Sequence, residues 1–330
     1  ALMKLKPLNI KDLMYTLPII FNLDSSLLFM SNKKPIAFLM ILGVSWGLYF
    51  SLLKIAVLSG LSYFGIATLS TLGVCIGMVA IALVRRKFPR FGFKHIQFYV
   101  ICALMGYLIP MLCELQVIGL VPASVLVLIV SLSPVLTLLI AWLMKTDRIN
   151  AIRILGMLLG TISIFGVLLP DVRNQVEITW PYLFLAAVVP LSYAIYHNYI
   201  AKAWPDDSDT YQVACGEAIF ASLILVVGSL FYWDSGDIQS WNDGHSALLF
   251  MAVIALVDIY IYFELIRLRG PIFTSHANYV MVVSGVFWGM LLFSEQVTTM
   301  MWLSAGFLLG SLYLINFDSA SNERSKKYKA

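Results

Sequence analysis

Ten stretches of this chain are predominantly apolar and 17 to 23 residues long: 36–58, 62–84, 97–117, 123–144, 152–169, 181–201, 211–232, 246–266, 271–293 and 300–316. A helix that crosses the hydrocarbon layer needs roughly 20 such residues, because its backbone N–H and C=O groups must pair with one another where there is no water. The connections between the stretches never exceed 13 residues. No loop therefore holds a soluble domain, and any chemistry takes place within the membrane. Composition agrees: 60% of the 330 residues are hydrophobic and 12% are charged, about half the roughly 25% charge of a soluble domain. So few polar groups cannot cover a water-facing surface, which excludes a soluble enzyme, a nucleic-acid binder and a disordered scaffold. The chain reads as an all-α integral membrane protein of ten transmembrane helices.

The net charge of +4 gains meaning once the cations are placed. With the start of the first stretch in the cytoplasm, 17 Lys and Arg fall on the inner side, including Arg85, Arg86, Lys87, Arg90, Lys145, Arg148, Arg267 and Lys326, and only Arg173 on the outer side. The outer loops carry Asp171, Glu177, Asp234, Asp237, Asp243 and Glu295 instead. Such sorting fixes the orientation, with both termini cytoplasmic. The chain contains no Asn-x-Ser/Thr acceptor, which favours a bacterial cytoplasmic membrane over a secretory one. Cys75, Cys102, Cys113 and Cys215 all lie in apolar runs and read as small packing residues.

Residues 1–29 contrast with the rest of the chain. They carry Lys4, Lys6, Lys11, Asp12 and two prolines, and their apolar stretches are too short to span. They lack the layout of a signal peptide. Met30 precedes Ser31-Asn32-Lys33-Lys34 and a clean apolar run, so the expected organisation is an N-terminal extension over 1–29, a first five-helix repeat over 30–170, a second over 171–317 and a basic cytoplasmic tail over 318–330.

The division into two repeats comes from echoes at nearly constant spacing. Glu114 and Glu264 stand 150 residues apart, Pro122 and Pro271 149, Asp147 and Glu295 148, and Gly156-x-x-x-Gly160 and Gly306-x-x-x-Gly310 150. Because each unit has five spans, the second enters the membrane from the opposite side. The surroundings agree, since the Asp147 turn is in a cationic inner loop and the Glu295 turn is in an outer loop without Lys or Arg. Two inverted repeats around a midplane site are the architecture of many secondary transporters, in which one half rocks against the other.

Several short motifs carry a resemblance over residues 35 to 316: Trp46-Gly47 with Phe50 in span 1; Pro122-Ala123-Ser124 through Ser133-Pro134 in span 4; Thr146-Asp147-Arg148 after it; Ser294-Glu295 in the second half; and a Gly-rich last span. The two halves resemble tandem EamA domains of the drug/metabolite transporter superfamily. Thr146-Asp147 replaces the family's usual Gly-Glu, and Val282 stands where span 4 has Pro134, so the two halves are expected to bend differently. The resemblance implies export or exchange of small metabolites and does not select one.

Ionisable groups inside a bilayer are functional candidates by default. Asp258 lies near the middle of span 8, flanked by Tyr260 and Tyr262. A carboxyl there is either neutral or paired with a cation, so it can hold a substrate amine or exchange a proton; a structural hydrogen bond is the alternative. Trp46, Tyr49, Ser131, Ser133, Tyr193, Tyr196 and Tyr262 lie at similar depth, and aromatic walls with polar tips suit an organic cation or zwitterion. The expected substrate contacts are Asp258, Trp46, Tyr49, Ser133, Tyr193, Tyr262 and Asn278. Glu114, Lys54, Glu217 and His276 are candidates for gating or proton coupling. Lys54 matches Glu114 in depth, so the two are expected to pair as an outer gate or a static helix contact. Glu264 has Arg267 three residues on and reads as half of a surface ion pair. His197 reads as packing. The paired G-x-x-x-G motifs read as helix-packing scaffold or as a dimer surface.

Pro110, Pro134 and Pro190 interrupt spans 3, 4 and 6 and are expected to bend them. The pattern contains no metal-ligand spacing, nucleophile triad or phosphate-cradling loop, so no catalytic residue, metal or cofactor is assigned. The reading is a secondary transporter, an exporter by resemblance, of a small organic metabolite such as an amino acid or amine, with a proton as the candidate coupling ion, as a monomer or homodimer. An uncoupled facilitator or exchanger is the nearest rival; an intramembrane enzyme would need clustered catalytic groups at one depth, and a channel a ring-like charge repeat.

Overall fold

The computed structural model describes residues 34–145, 150–167, 180–232, 241–275 and 277–327. The 1–29 extension, the Thr146-Asp147-Arg148 turn and His276 lie outside them. The described residues form helices and no strands. In chain order these are α1 (Lys34–Leu58), α2 (Tyr63–Arg85), α3 (Phe93–Cys102), a π-helical segment (Ala103–Leu108), α4 (Ile109–Ile118), α5 (Ala123–Val130), α6 (Ser133–Leu143), α7 (Ala151–Val167), α8 (Trp180–Ala203), α9 (Thr210–Tyr232), α10 (Asp243–Ser275), α11 (Ala277–Phe293) and α12 (Thr299–Lys327). The chain divides into two compact units after Phe38. The described part of the first is the opening of α1, where Lys34 Nζ stands 5.4 Å from the Phe38 ring centroid; the remaining described helices belong to the second.

Among the described residues, eight helical stretches are long and apolar enough to cross a membrane: Lys34–Leu58, Tyr63–Arg85, Phe93–Ile118, Ala123–Leu143, Trp180–Ala203, Thr210–Phe231, Asp243–Gly270 and Phe273–Phe293. The protein is thus a multi-pass membrane protein. The two other windows of the sequence fall on α7, 17 residues long, and on the shorter apolar opening of α12, Thr299–Ser311. Residues 318–327 of the basic tail continue α12.

Each interruption has a local cause. Pro110 has no N–H, and its ring crowds the carbonyl four residues back. The backbone answers just upstream with the π segment, where the Ile109 N–H donates to Leu104 O, five residues back. Pro134 ends the helix before it: α5 stops at Val130, Ser131 and Leu132 form a turn, and α6 resumes with Pro134 in its first turn. Ser131 is occupied in that turn, its Oγ donating to Val127 O at 2.7 Å. Pro190, by contrast, sits inside a continuous α8. In α10 the kink is at Gly270, with φ 81° and ψ 172°, a conformation that only glycine adopts without strain.

Small residues set the closest helix contacts. A Cβ on Gly47 of α1 would lie 2.2 Å from Ser284 Oγ and 2.6 Å from the Gly285 nitrogen of α11, and Ser284 Oγ donates to Gly43 O at 2.9 Å. Gly47→Ala is therefore expected to push α1 off α11 and destabilise the fold by about 1–3 kcal/mol, the usual scale of overpacking. A lowered melting temperature of the purified variant checks this, and an unchanged one would mean that the two helices separate freely. The first G-x-x-x-G motif is also used for packing: Ser311 of α12 donates to Gly156 O at 2.6 Å, and its Oγ lies 2.8 Å from where a Gly160 Cβ would stand. Gly306 and Gly310, the second motif, have no described neighbour at the Cβ position. The four cysteines are free, three of them buried.

Candidate functional site

Helices from both halves of the chain line a partly open cavity of about 170 Å³, slightly above the ~150 Å³ that admits benzene in an engineered protein cavity. The seven residues singled out as substrate contacts all line it: Trp46 and Tyr49 from α1, Ser133 from α6, Tyr193 from α8, Asp258 and Tyr262 from α10, and Asn278 from α11. The helix interruptions shape its walls. Because the π segment puts Gly106 on the cavity, the Tyr196 ring can approach to within 2.6 Å of where a Gly106 Cβ would lie. The break before Pro134 leaves Ser133 on the wall, with its Oγ buried and unpartnered among the described residues.

Asp258 is 9% exposed, and its Oδ1 accepts a hydrogen bond from Ser45 Oγ at 2.7 Å. Tyr262, one turn further along α10, stacks on Tyr196 at 5.5 Å between centroids, with 7° between planes, and meets Trp46 at 6.0 Å. Its hydroxyl has no partner among the described residues. Asn278 is committed locally, with Nδ2 donating to Ser275 O at 3.0 Å.

The gating candidates separate. Glu217 of α9 is fully buried and lines the cavity; Tyr196 OH donates to its Oε1 at 2.6 Å, and Oε2 is unpartnered among the described residues. Glu114 of α4 stands one layer behind the wall, accepting Tyr49 OH on Oε2 at 2.9 Å and Tyr193 OH on Oε1 at 3.1 Å. It thereby ties a cavity tyrosine of α1 to one of α8. His276 lies outside the described residues.

Lys54 does not pair with Glu114, contrary to the expectation from depth. Its Nζ donates to Glu295 Oε1 at 2.9 Å and to Val121 O at 3.3 Å. The reason is azimuth. Tyr49 and Lys54 are five residues apart, about 140° around an α-helix, so when Tyr49 faces Glu114, Lys54 must face elsewhere. Glu295 also accepts the Ala123 N–H at 2.8 Å, the Ser124 N–H at 3.2 Å and Ser124 Oγ at 2.7 Å. It therefore caps the start of α5, where the first N–H groups lack helical partners. Burial works to raise the Glu295 carboxyl, but Lys54, Ser124 and Ala123 overrule it and hold it below the usual carboxylate range.

A second charged cluster links the α2–α3 connection to the α8–α9 connection. Lys87 pairs with Asp209 at 2.7 Å, while Arg90 and His95 both engage Asp207. The hydrogen bond from His95, helped by Arg90, holds the Asp207 carboxyl below its ordinary range. Glu264 and Arg267 meet not each other but the Thr210 hydroxyl, at 2.9 and 3.4 Å.

Sequence reasoning underrated two wall residues, His197 and Tyr107, and one residue behind the wall, Ser45, which donates to Asp258. His197, read as packing, lines the cavity with its ring 5.6 Å from Tyr262 and its Nδ1 3.3 Å from Thr137 Oγ1. Ser45 was visible only as the residue before Trp46. Tyr107 reaches the wall because the π segment turns it there. Among the described residues no group of three or more His, Cys, Asp or Glu is disposed to hold a metal ion.

The fold is shared with a solved structure described as "Crystal structure of protein", which superposes with a TM-score of 0.64 at 14% identity and covers 86% of this chain and 98% of that one. At that identity the likeness concerns the fold alone. No curated protein matches this chain. The model of the EamA-like transporter family matches twice, over residues 33–169 and 180–317. The first match supplies Trp46, Tyr49 and Ser133 to the cavity and the second Tyr193, Asp258, Tyr262 and Asn278, and with both in place the chain belongs to the EamA-like transporter family.

Proposed function

We propose that this protein is a ten-span secondary transporter of the bacterial cytoplasmic membrane, built as two inverted five-helix repeats with both termini in the cytoplasm. It exports a small organic metabolite such as an amino acid or amine. The repeats would cover residues 30–170 and 171–317, and access would alternate as one rocks against the other. The observation that carries this reading is the convergence of side chains from both family matches on one cavity with a buried carboxyl, Asp258, in its wall. Substrate would sit between Asp258, Trp46, Tyr49, Ser133, Tyr193, Tyr262 and Asn278.

Glu217 supports the choice of a proton as coupling ion, because a buried carboxyl on the cavity wall with one oxygen unpartnered among the described residues can gain or lose a proton as cargo arrives or leaves. The two charged clusters support alternation: Lys54–Glu295 at one end and Lys87–Asp209 with Arg90–Asp207 at the other both join the two family matches. In proteoliposomes loaded with labelled substrate, an imposed pH gradient is expected to accelerate flux several-fold. Equal rates with and without the gradient would replace the coupled transporter by an uncoupled exchanger, and recovery of a chemically altered product would replace it by an enzyme.

A further inference from the structure

We propose that the cargo is a cationic amine without a carboxylate, discriminated from the parent amino acid by the charge balance of the cavity wall. The inference rests on the transporter reading and narrows its substrate class.

The wall holds two carboxyl groups, Asp258 and Glu217, and among its described residues no Lys or Arg. Its one basic side chain, His197, directs Nδ1 at Thr137 Oγ1. Lys54 is not on the wall and is committed to Glu295. Acceptors for a cation are at hand: among the described residues, Glu217 Oε2 is buried without a partner, and Asp258 receives only the Ser45 hydroxyl on Oδ1. Several donors for an anion are taken up. Tyr49 and Tyr193 donate to Glu114, Tyr196 donates to Glu217, and Asn278 donates to Ser275 O. The Ser133, Tyr262 and Tyr107 hydroxyls and the Trp46 indole N–H remain, without a hydrogen-bond partner among the described residues and all of them neutral.

An ammonium against Asp258 forms a neutral pair, and the faces of Trp46, Tyr196 and Tyr262 add cation–π attraction. A zwitterionic amino acid presents its amine equally well but brings a second charge. Neutral donors carry no charge to balance a carboxylate removed from water, and burying an unpaired ion is strongly unfavourable. The free volume of about 170 Å³ suits a ligand the size of a small aromatic or branched amine.

The test uses pairs that differ only by the carboxylate: phenethylamine with phenylalanine, and isoamylamine with leucine. Each is titrated against the purified full-length protein, following the melting temperature and the Trp fluorescence. The amine of each pair is expected to saturate at a concentration at least tenfold below its amino acid. This preference is expected to vanish in Asp258→Asn, and in Glu217→Gln to weaken without vanishing. Equal or tighter binding of the amino acids, no binding by either amine, or amine binding unchanged in both variants overturns the proposal.

A second measurement separates this failure from failure of the transporter reading. Ser133→Cys, in a chain whose four native cysteines are replaced by alanine, is probed with a membrane-impermeant thiol reagent from each face. Labelling from both faces with no amine preference rejects the substrate class and keeps the transporter. Labelling from one face only rejects the alternating cavity on which the substrate class rests, and with it both readings.

Discussion

Asp258→Asn is expected to reduce transport roughly 100-fold or more while leaving the protein folded. The two side chains are isosteric, and an asparagine carbonyl can still accept the hydrogen bond that Ser45 Oγ gives to Oδ1 at 2.7 Å. The change therefore opens no cavity and strands no donor. What it removes is the only property that distinguishes this position from its neighbours, the capacity to carry a negative charge or a proton among Trp46, Tyr262 and Ser45. Truncating one partner of a buried charge pair costs about 3–5 kcal/mol, and each 1.4 kcal/mol is tenfold in an equilibrium constant, which gives the stated scale. Flux in proteoliposomes checks the prediction, with the melting temperature of the variant as control. A wild-type rate in a folded Asp258→Asn protein removes Asp258 from the mechanism. Ser45→Ala is expected to be milder, because it leaves the carboxyl in place and takes away one donor.

Residues such as Asp258 and Trp46 were legible in the sequence because a spanning helix turns position in the chain into depth in the membrane. Depth grouped Trp46, Tyr49, Ser133, Tyr193, Asp258 and Tyr262 before any contact was known, and the structure sets all six around one cavity. Azimuth is what depth leaves out. Lys54 and Glu114 share a depth and still face different neighbours. Ser131 and Ser133 share one too, but the turn before Pro134 directs Ser131 to Val127 O and Ser133 to the cavity. The π segment was equally hidden: Pro110 foretold an interruption, but not that the extra residue would be taken up at Ala103–Leu108 and carry Gly106 and Tyr107 onto the wall. Sequence spacing also overstated the symmetry of the repeats. Tyr49 and Tyr196 correspond, 147 residues apart, yet Tyr49 bonds Glu114 whereas Tyr196 bonds Glu217, so the two halves brace their tyrosines on different helices.

Glu295→Ala is expected to cost more stability than Gly47→Ala or Asp258→Asn, about 3–5 kcal/mol, the cost of leaving a buried ion without its partner. The Glu295 side chain is 7% exposed and that of Lys54 14%, so the ammonium that remains has little water to turn to. The same carboxylate accepts two backbone N–H groups and a hydroxyl at the start of α5, and those donors lose their acceptor as well. Glu295→Gln keeps the shape but not the charge and is expected to lose less. The pH dependence has a definite sign. Since the folded protein holds this carboxyl below its usual range, the stabilisation is complete above the ordinary carboxylate value of about 4.3 and is lost as pH falls through the lower folded value. A melting-temperature profile that drops at acid pH in the wild type and flattens in Glu295→Gln checks this. The contact joins the second family match to α1 and α5 of the first, so it also bears on access. Thiol labelling of the Ser133→Cys protein from the Lys54 end is expected to rise when Glu295→Gln is added, because opening that end requires this contact to break. A variant that loses stability without any gain in labelling would make Glu295 a helix cap alone, with alternation governed elsewhere.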